Sequence, residues 1–166
     1  MQFRSNLLAF LLTVAFCTSC AEQSQFGSLV EDDREQMRTN QVRESMQRLQ
    51  IGAEHYAADH GTDNYPLLLD DSFKAYMPGG DEASTPSQIG YPNVFTGTNK
   101  FPTLGSEQDY KLVLKGERIK LHPGEIRYCP LNNGKAYAVI GGGSDGKAIM
   151  DIKNPGKILI LSNLED

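Results

Sequence analysis

The chain has 166 residues, 39% of them hydrophobic and 22% charged. That composition suits one modest core plus a targeting segment, and it excludes a chain disordered by composition. Lys and Arg total 16 against 21 Asp and Glu, a net charge of −5. The acidic balance argues against general nucleic-acid binding and against electrostatic attachment to anionic lipid, since both rest on concentrated Lys and Arg.

Residues 1–6 carry one positive charge, Arg4, and residues 7–16 (LLAFLLTVAF) form a continuous apolar run. Spanning a bilayer takes about 20 residues, so this shorter run predicts the hydrophobic region of a signal peptide. Small residues follow at Thr18, Ser19, Cys20 and Ala21. This end resembles the lipobox of bacterial lipoproteins. The resemblance implies a signal peptide over residues 1–19 and a lipid, palmitate among its acyl groups, on Cys20 as the first residue of the mature chain. It also implies residence in the bacterial cell envelope, on the outer side of a membrane. Ala21, where an inner-membrane protein would carry Asp, implies the outer membrane in a Gram-negative cell. Removing residues 1–19 takes away Arg4 and no acid, so the net charge goes from −5 to −6. Cys17 stands where the lipobox has Leu, and Ser19-Cys20-Ala21 also fits a small-x-small cut before Glu22. Simple secretion into the periplasm or beyond therefore stays open, as does a retained leader.

Residues 20–27 read as a short polar tether, leaving residues 28–166 as the domain. Ser28 with Glu31 matches a capping box, and no Pro occurs from there to His60. Val42, Met46, Leu49, Ala53 and Tyr56 or Ala57 recur at helical spacing, which predicts a helix of about 30 residues ending near Gly61. Its first half is almost wholly polar; its second half can bury a face. Residues 61–108 hold five of the eight prolines and read as loop-rich, with one short helix over Leu67–Tyr76.

Strand patterns follow. Tyr110–Lys115 and Arg118–Leu121 are β-prone around Gly116, and Ile126–Cys129 and Ala136–Ile140 flank Asn132-Asn133-Gly134, a hairpin signal. Ser144-Asp145-Gly146 turns into Ala148–Ile152, and Ile158–Leu161 is the last apolar strand. The expected class is α+β, one long N-terminal helix packed on an antiparallel sheet. Only Cys129 remains in the domain once Cys17 is removed and Cys20 acylated, so no disulfide framework is expected. Cys129 reads as a buried small hydrophobe, because no base is placed to make it a nucleophile.

Several strings in this order resemble the globular domain of type IV pilins and type II secretion pseudopilins, the G-type major pseudopilin above all. They are Arg38–Tyr56 into Tyr65-Pro66, Tyr76-Met77-Pro78-Gly79-Gly80, Asn93-Val94-Phe95-Thr96-Gly97, Pro123-Gly124-Glu125-Ile126, and Tyr137 through Gly143-Ser144-Asp145-Gly146-Lys147. The resemblance implies a non-enzymatic interaction domain tied to a secretion or envelope assembly, with a protein partner. A prepilin is cut after a Gly before its apolar stretch, which then carries a Glu five residues in. Residues 7–16 have neither. The combination implied is a pilin-type head on a lipid anchor, with a minor filament or pseudopilus subunit as the alternative if the leader is kept. The same resemblance implies a calcium loop, for which Asp145 and Asp151 are the acids in place; calcium takes six to eight oxygens.

Other candidate chemistry is weaker. Gly141 to Lys147 satisfies GxxxxGK, but Ala148 stands where a phosphate loop needs Ser or Thr, and a strand pattern follows instead of a helix. His55 with Asp59 has the i, i+4 spacing of helical zinc ligands, without a third ligand. His122 reads as a strand-end residue, and Asp32-Asp33 and Asp70-Asp71 are adjacent acids rather than a general acid and base. No catalytic residues and no cofactor are expected. Leu67–Leu69 and the loops from 79 to 108 are the places where a contact surface is expected.

Overall fold

The computed structural model describes residues 5–62, 64–80 and 85–164, with side chains from residue 30 onward, Pro86 excepted. The chain divides into two units, Met1–Met37 and Arg38–Asp166. Helix α1 spans Ser5–His60. Ser28 and Glu31 therefore lie inside a helix rather than at its start, and residues 20–27 are helical too. Glu31 pairs with Arg34 one turn on at 3.8 Å, both side chains exposed, in place of the expected cap.

In the second unit the apolar stripe of α1 does what its spacing predicts. Val42, Met46, Leu49, Ala53 and Ala57 are all buried, none above 4% exposure. Each fully buried Leu or Met side chain contributes on the order of 1.5–3 kcal/mol. The stripe packs on Phe73, Met77, Tyr91, Tyr128, Tyr137 and Val139. Between Leu67 and Tyr76 only α2, Asp71–Lys74, is helical; the Asp70 side chain caps it by accepting from Ser72 N at 3.0 Å. Phe73 is fully buried, which is what anchors this short turn.

The segment expected to be loop-rich contains two strands of its own, β1 (Tyr91–Asn93) and β2 (Thr98–Lys100), paired antiparallel. Then come β3 (Thr103–Leu104) and helix α3 (Glu107–Leu114). The expected strands at Tyr110–Lys115 and Arg118–Leu121 are thus not formed. Ser106 and Asp109 make a full capping box, Ser106 Oγ accepting from Asp109 N at 3.2 Å and Asp109 Oδ2 accepting from Ser106 N at 2.9 Å. Glu107 and Lys111 pair at 2.7 Å across one turn. Gly116, at φ +73°, ends the helix, donating to Val113 O at 2.9 Å. These local polar bonds outweigh the β preference of Tyr110 and Val113.

β4 (Ile126–Leu131), β5 (Ala136–Gly141) and β6 (Ile160–Ser162) complete a sheet ordered β3-β4-β5-β6. β4–β5 and β5–β6 are antiparallel, but β3–β4 is parallel, so the sheet is mixed rather than antiparallel. The cause is α3. A helix between two strands carries the chain back across the sheet, and the second strand then runs the same way as the first. The Asn132-Asn133-Gly134 turn forms as expected, all three residues at positive φ. Ala148–Ile152 and Ile158 form only isolated bridges, Gly142 with Ala148 and Met150 with Ile158. The coarse class stands: α+β, one long N-terminal helix with mixed and antiparallel sheets.

Strand alternation splits the core in two. Ile126, Tyr128, Tyr137 and Val139 face α1, whereas Cys129, Leu131, Ala136, Ala138 and Ile140 pack with Val113, Ile119 and Leu121.

Candidate functional site

Three strings far apart in sequence, 93–97, 123–126 and 141–147, meet at one end of the sheet. Asn93, buried, accepts on Oδ1 from Phe95 N at 2.9 Å and Thr96 N at 3.2 Å, which closes the β1–β2 turn. Its Nδ2 donates to Pro123 O at 2.9 Å. Gly124 sits so close, at φ +69°, that a Cβ there would lie 2.5 Å from Asn93 Oδ1. Gly124 N donates to Gly142 O at 3.0 Å, Gly142 N to Glu125 O at 2.8 Å, and Leu121 N to Gly146 O at 3.1 Å. Arg38 lies over the Phe95 ring at 5.7 Å, a cation–π contact that ties the hairpin to α1.

Asp145 and Asp151, the candidate calcium ligands, each close a local turn. Asp145 Oδ1 accepts from Lys147 N at 3.0 Å and its Oδ2 pairs with the Lys147 ammonium. Asp151 Oδ1 accepts from Lys153 N at 2.9 Å and its Oδ2 from Asn154 Nδ2 at 2.6 Å. Both carboxyls are held below the usual Asp range, Asp145 mainly by the Lys147 side chain and Asp151 mainly by the Asn154 side chain. A calcium ion at Asp145 has the Lys147 ammonium to displace. Among the described residues no group of three His, Cys, Asp or Glu is placed to hold a metal ion.

The remaining sequence candidates fall apart from one another. His60 stacks on Tyr56 at 4.0 Å and its Nδ1 bonds Tyr56 O at 2.9 Å. Asp59 accepts from Tyr76 Oη at 2.9 Å, and His55 is exposed. His122 N donates to Glu125 Oε2 at 2.8 Å. Cys129 is fully buried, and burial pushes its thiol up to about 12. That keeps the sulfur protonated and unreactive near neutral pH, as expected of a core residue. Leu67 and Leu68 are exposed at 48% and 59%, while Leu69 packs on the core. The Cys20 backbone belongs to α1, and its side chain lies outside the described residues. Among the described residues no helix is long and apolar enough to cross a membrane.

Two features were not singled out from the sequence. One is Arg127, which binds Glu125 Oε1 through Nε at 2.9 Å and Nη2 at 2.7 Å, Lys120 O at 3.2 Å, and Asp109 at 3.6 Å. With the Glu125 side chain only 6% exposed, this ties α3, the 117–125 loop and β4 together. The Glu-x-Arg spacing of Glu125 and Arg127 at the start of β4 was the available signal. The other is an open groove of about 880 Å³ between the end of α3 and residues 147–162. Lys115, Arg118, Lys147 and Lys157 line it, with Asp151 its one acid. No sequence window shows it, because its cations come from three separate loops.

No protein-family model matches the chain, and no curated protein or solved structure matches it.

Proposed function

We propose that the protein is a non-enzymatic envelope lipoprotein, anchored by a lipid on Cys20, whose α+β head is a pilin- or pseudopilin-like module that binds another protein of a secretion or envelope assembly. The anchor is supported by a ten-residue apolar run, 7–16, too short to span, ending on Thr18-Ser19-Cys20-Ala21. The observation that carries the head is the convergence of the strings at 93–97, 123–126 and 141–147 through Asn93, Gly124 and Gly142, behind a long helix. Turns locked to one another over an apolar sheet give a rigid surface, which is what recognition needs. The clustered, perturbed titratable groups of a catalytic site are not part of this support.

The test is mass analysis of the N-terminus of the native, membrane-extracted protein. A diacylglyceryl or triacyl Cys20, lost in Cys20→Ser together with membrane retention, supports the anchor. A chain starting at Glu22 replaces it with a secreted module. A chain starting at Met1 favours a second reading, a minor subunit of a pseudopilus or filament with its leader kept, which draws support from α1 beginning at Ser5. Calcium is tested separately by melting with and without millimolar calcium. No shift in Tm removes Asp145 and Asp151 as ligands.

A further inference from the structure

We infer that the groove between α3 and the 147–162 segment is the docking site of the head, and that its occupant is an acidic segment of a partner protein lying extended along β6. The inference rests on the reading of the head as a protein-binding module and gives that module its site. Charge is the first argument. Lys115, Arg118, Lys147 and Lys157 line the groove against Asp151 alone, on a chain whose net charge is −5. All four cations are exposed, and among the described residues only Lys147 has an acidic partner, Asp145. Lys115, Arg118 and Lys157 thus present positive charge that no acid among the described residues pairs with. Such a cluster attracts an acidic partner and sets its register.

Shape is the second argument. Among the described residues β6 is an edge strand, paired only with β5. Consecutive residues Ile158, Leu159 and Ile160 line the groove, although successive side chains of an extended chain point to opposite faces. A groove that meets all three runs along the chain there. Ile158 and Leu159 are already held to residues 149–151, Leu159 N donating to Ile149 O at 2.9 Å. The backbone N–H and C=O groups that can take an added strand are therefore those of β6 itself, Ile160–Ser162. Leu114 and Met150, exposed at 57% and 45%, offer apolar contact on either side. An extended segment alternating acidic with apolar side chains satisfies the cations, the edge and the apolar walls together.

The test uses the full-length protein in detergent and a fluorescent peptide of about eight residues, a usual strand length, alternating Glu with Val. The expected result is saturable binding, with the same peptide carrying Lys for Glu weaker by about tenfold or more. R118E/K157E, at exposed positions, should weaken binding by about tenfold at unchanged Tm, and R118K/K157R should restore it. Hydrogen exchange should slow at residues 160–162 when the peptide is bound. The idea is overturned if the Glu and Lys peptides bind alike, if neither binds at millimolar concentration, or if protection appears elsewhere. Displacement of the peptide by phosphatidylserine vesicles or by duplex DNA in preference to acidic peptide also sinks it. Crosslinking at the native membrane separates the two readings. A partner crosslinked only near Leu67 and Leu68 removes the groove and keeps the interaction module, whereas no crosslinked protein at any surface removes both.

Discussion

The face of the sheet under α1 and the face under α3 are built from different side chains. Under α1 lie Phe73, Tyr91, Tyr128 and Tyr137, large rings packed between helix and sheet, with Tyr128 and Tyr137 stacked at 5.8 Å. Under α3 lie Leu131, Ala136, Ala138 and Ile140, smaller and aliphatic. A long helix with a continuous stripe covers its face from Val42 to Ala57, whereas α3 offers eight residues and one buried side chain, Val113. Stability and a free surface are therefore placed on opposite sides of one sheet. The broad helix closes its side, and the short one leaves a groove beside β6.

That contrast can be broken by substitution. Phe73→Ala should cost about 3–5 kcal/mol in urea unfolding, since a ring is lost from a filled interior. Val113→Ala on the other face should cost about 1.5–3 kcal/mol. Equal or reversed losses would show the two faces to be energetically alike. Arg127→Ala should cost about 3 kcal/mol, because it leaves Glu125 buried without its partner, and R127K should recover only part of that loss. Ser106→Ala, which removes the α3 cap, should cost about 1 kcal/mol and speed hydrogen exchange in residues 107–111 more than in α1. Tyr128→Phe should be close to neutral in Tm, since the Tyr128 hydroxyl is buried without a hydrogen-bond partner among the described residues.

Smallest of all should be the response of Cys129 to alkylation. Native protein at pH 8 should resist iodoacetamide, and denatured protein should react. The linkage has a definite sign. The unfolded thiol ionises near 9.0 and the folded one near 12, so its contribution is intact below pH 9.0 and is lost as pH rises toward 12. Labelling of the native thiol at pH 8 would mean that the α3 face opens far more readily than the α1 face.

The helical stripe from Val42 to Ala57, the β4–β5 hairpin at Asn132-Asn133-Gly134, and the burial of Cys129 were all legible in the sequence. Each depends on a period or on a turn residue within about ten positions. Region 107–121 was misread because Tyr110 and Val113 favour strand, while the Ser106–Asp109 capping box that decides the matter lies just upstream of the window considered. The parallel β3–β4 pair was lost with it, since strand direction follows from what connects the strands. Of the candidate site, Asp145 was legible as a turn acid while Asp151 fell within an expected strand, and their pairing with Lys147 and Asn154 shows only in the folded loops.

The sequence by itself determined the α+β class, the stripe of α1 and the hairpin, because these depend on neighbours along the chain. Only the tertiary structure decided the rest. It joined Asn93 to Pro123, clamped Glu125 and Arg127 against Asp109, and gathered Lys115, Arg118, Lys147 and Lys157 around β6. Residues tens of positions apart come within hydrogen-bond or Coulomb reach only when burial of the two apolar faces fixes the strands between them.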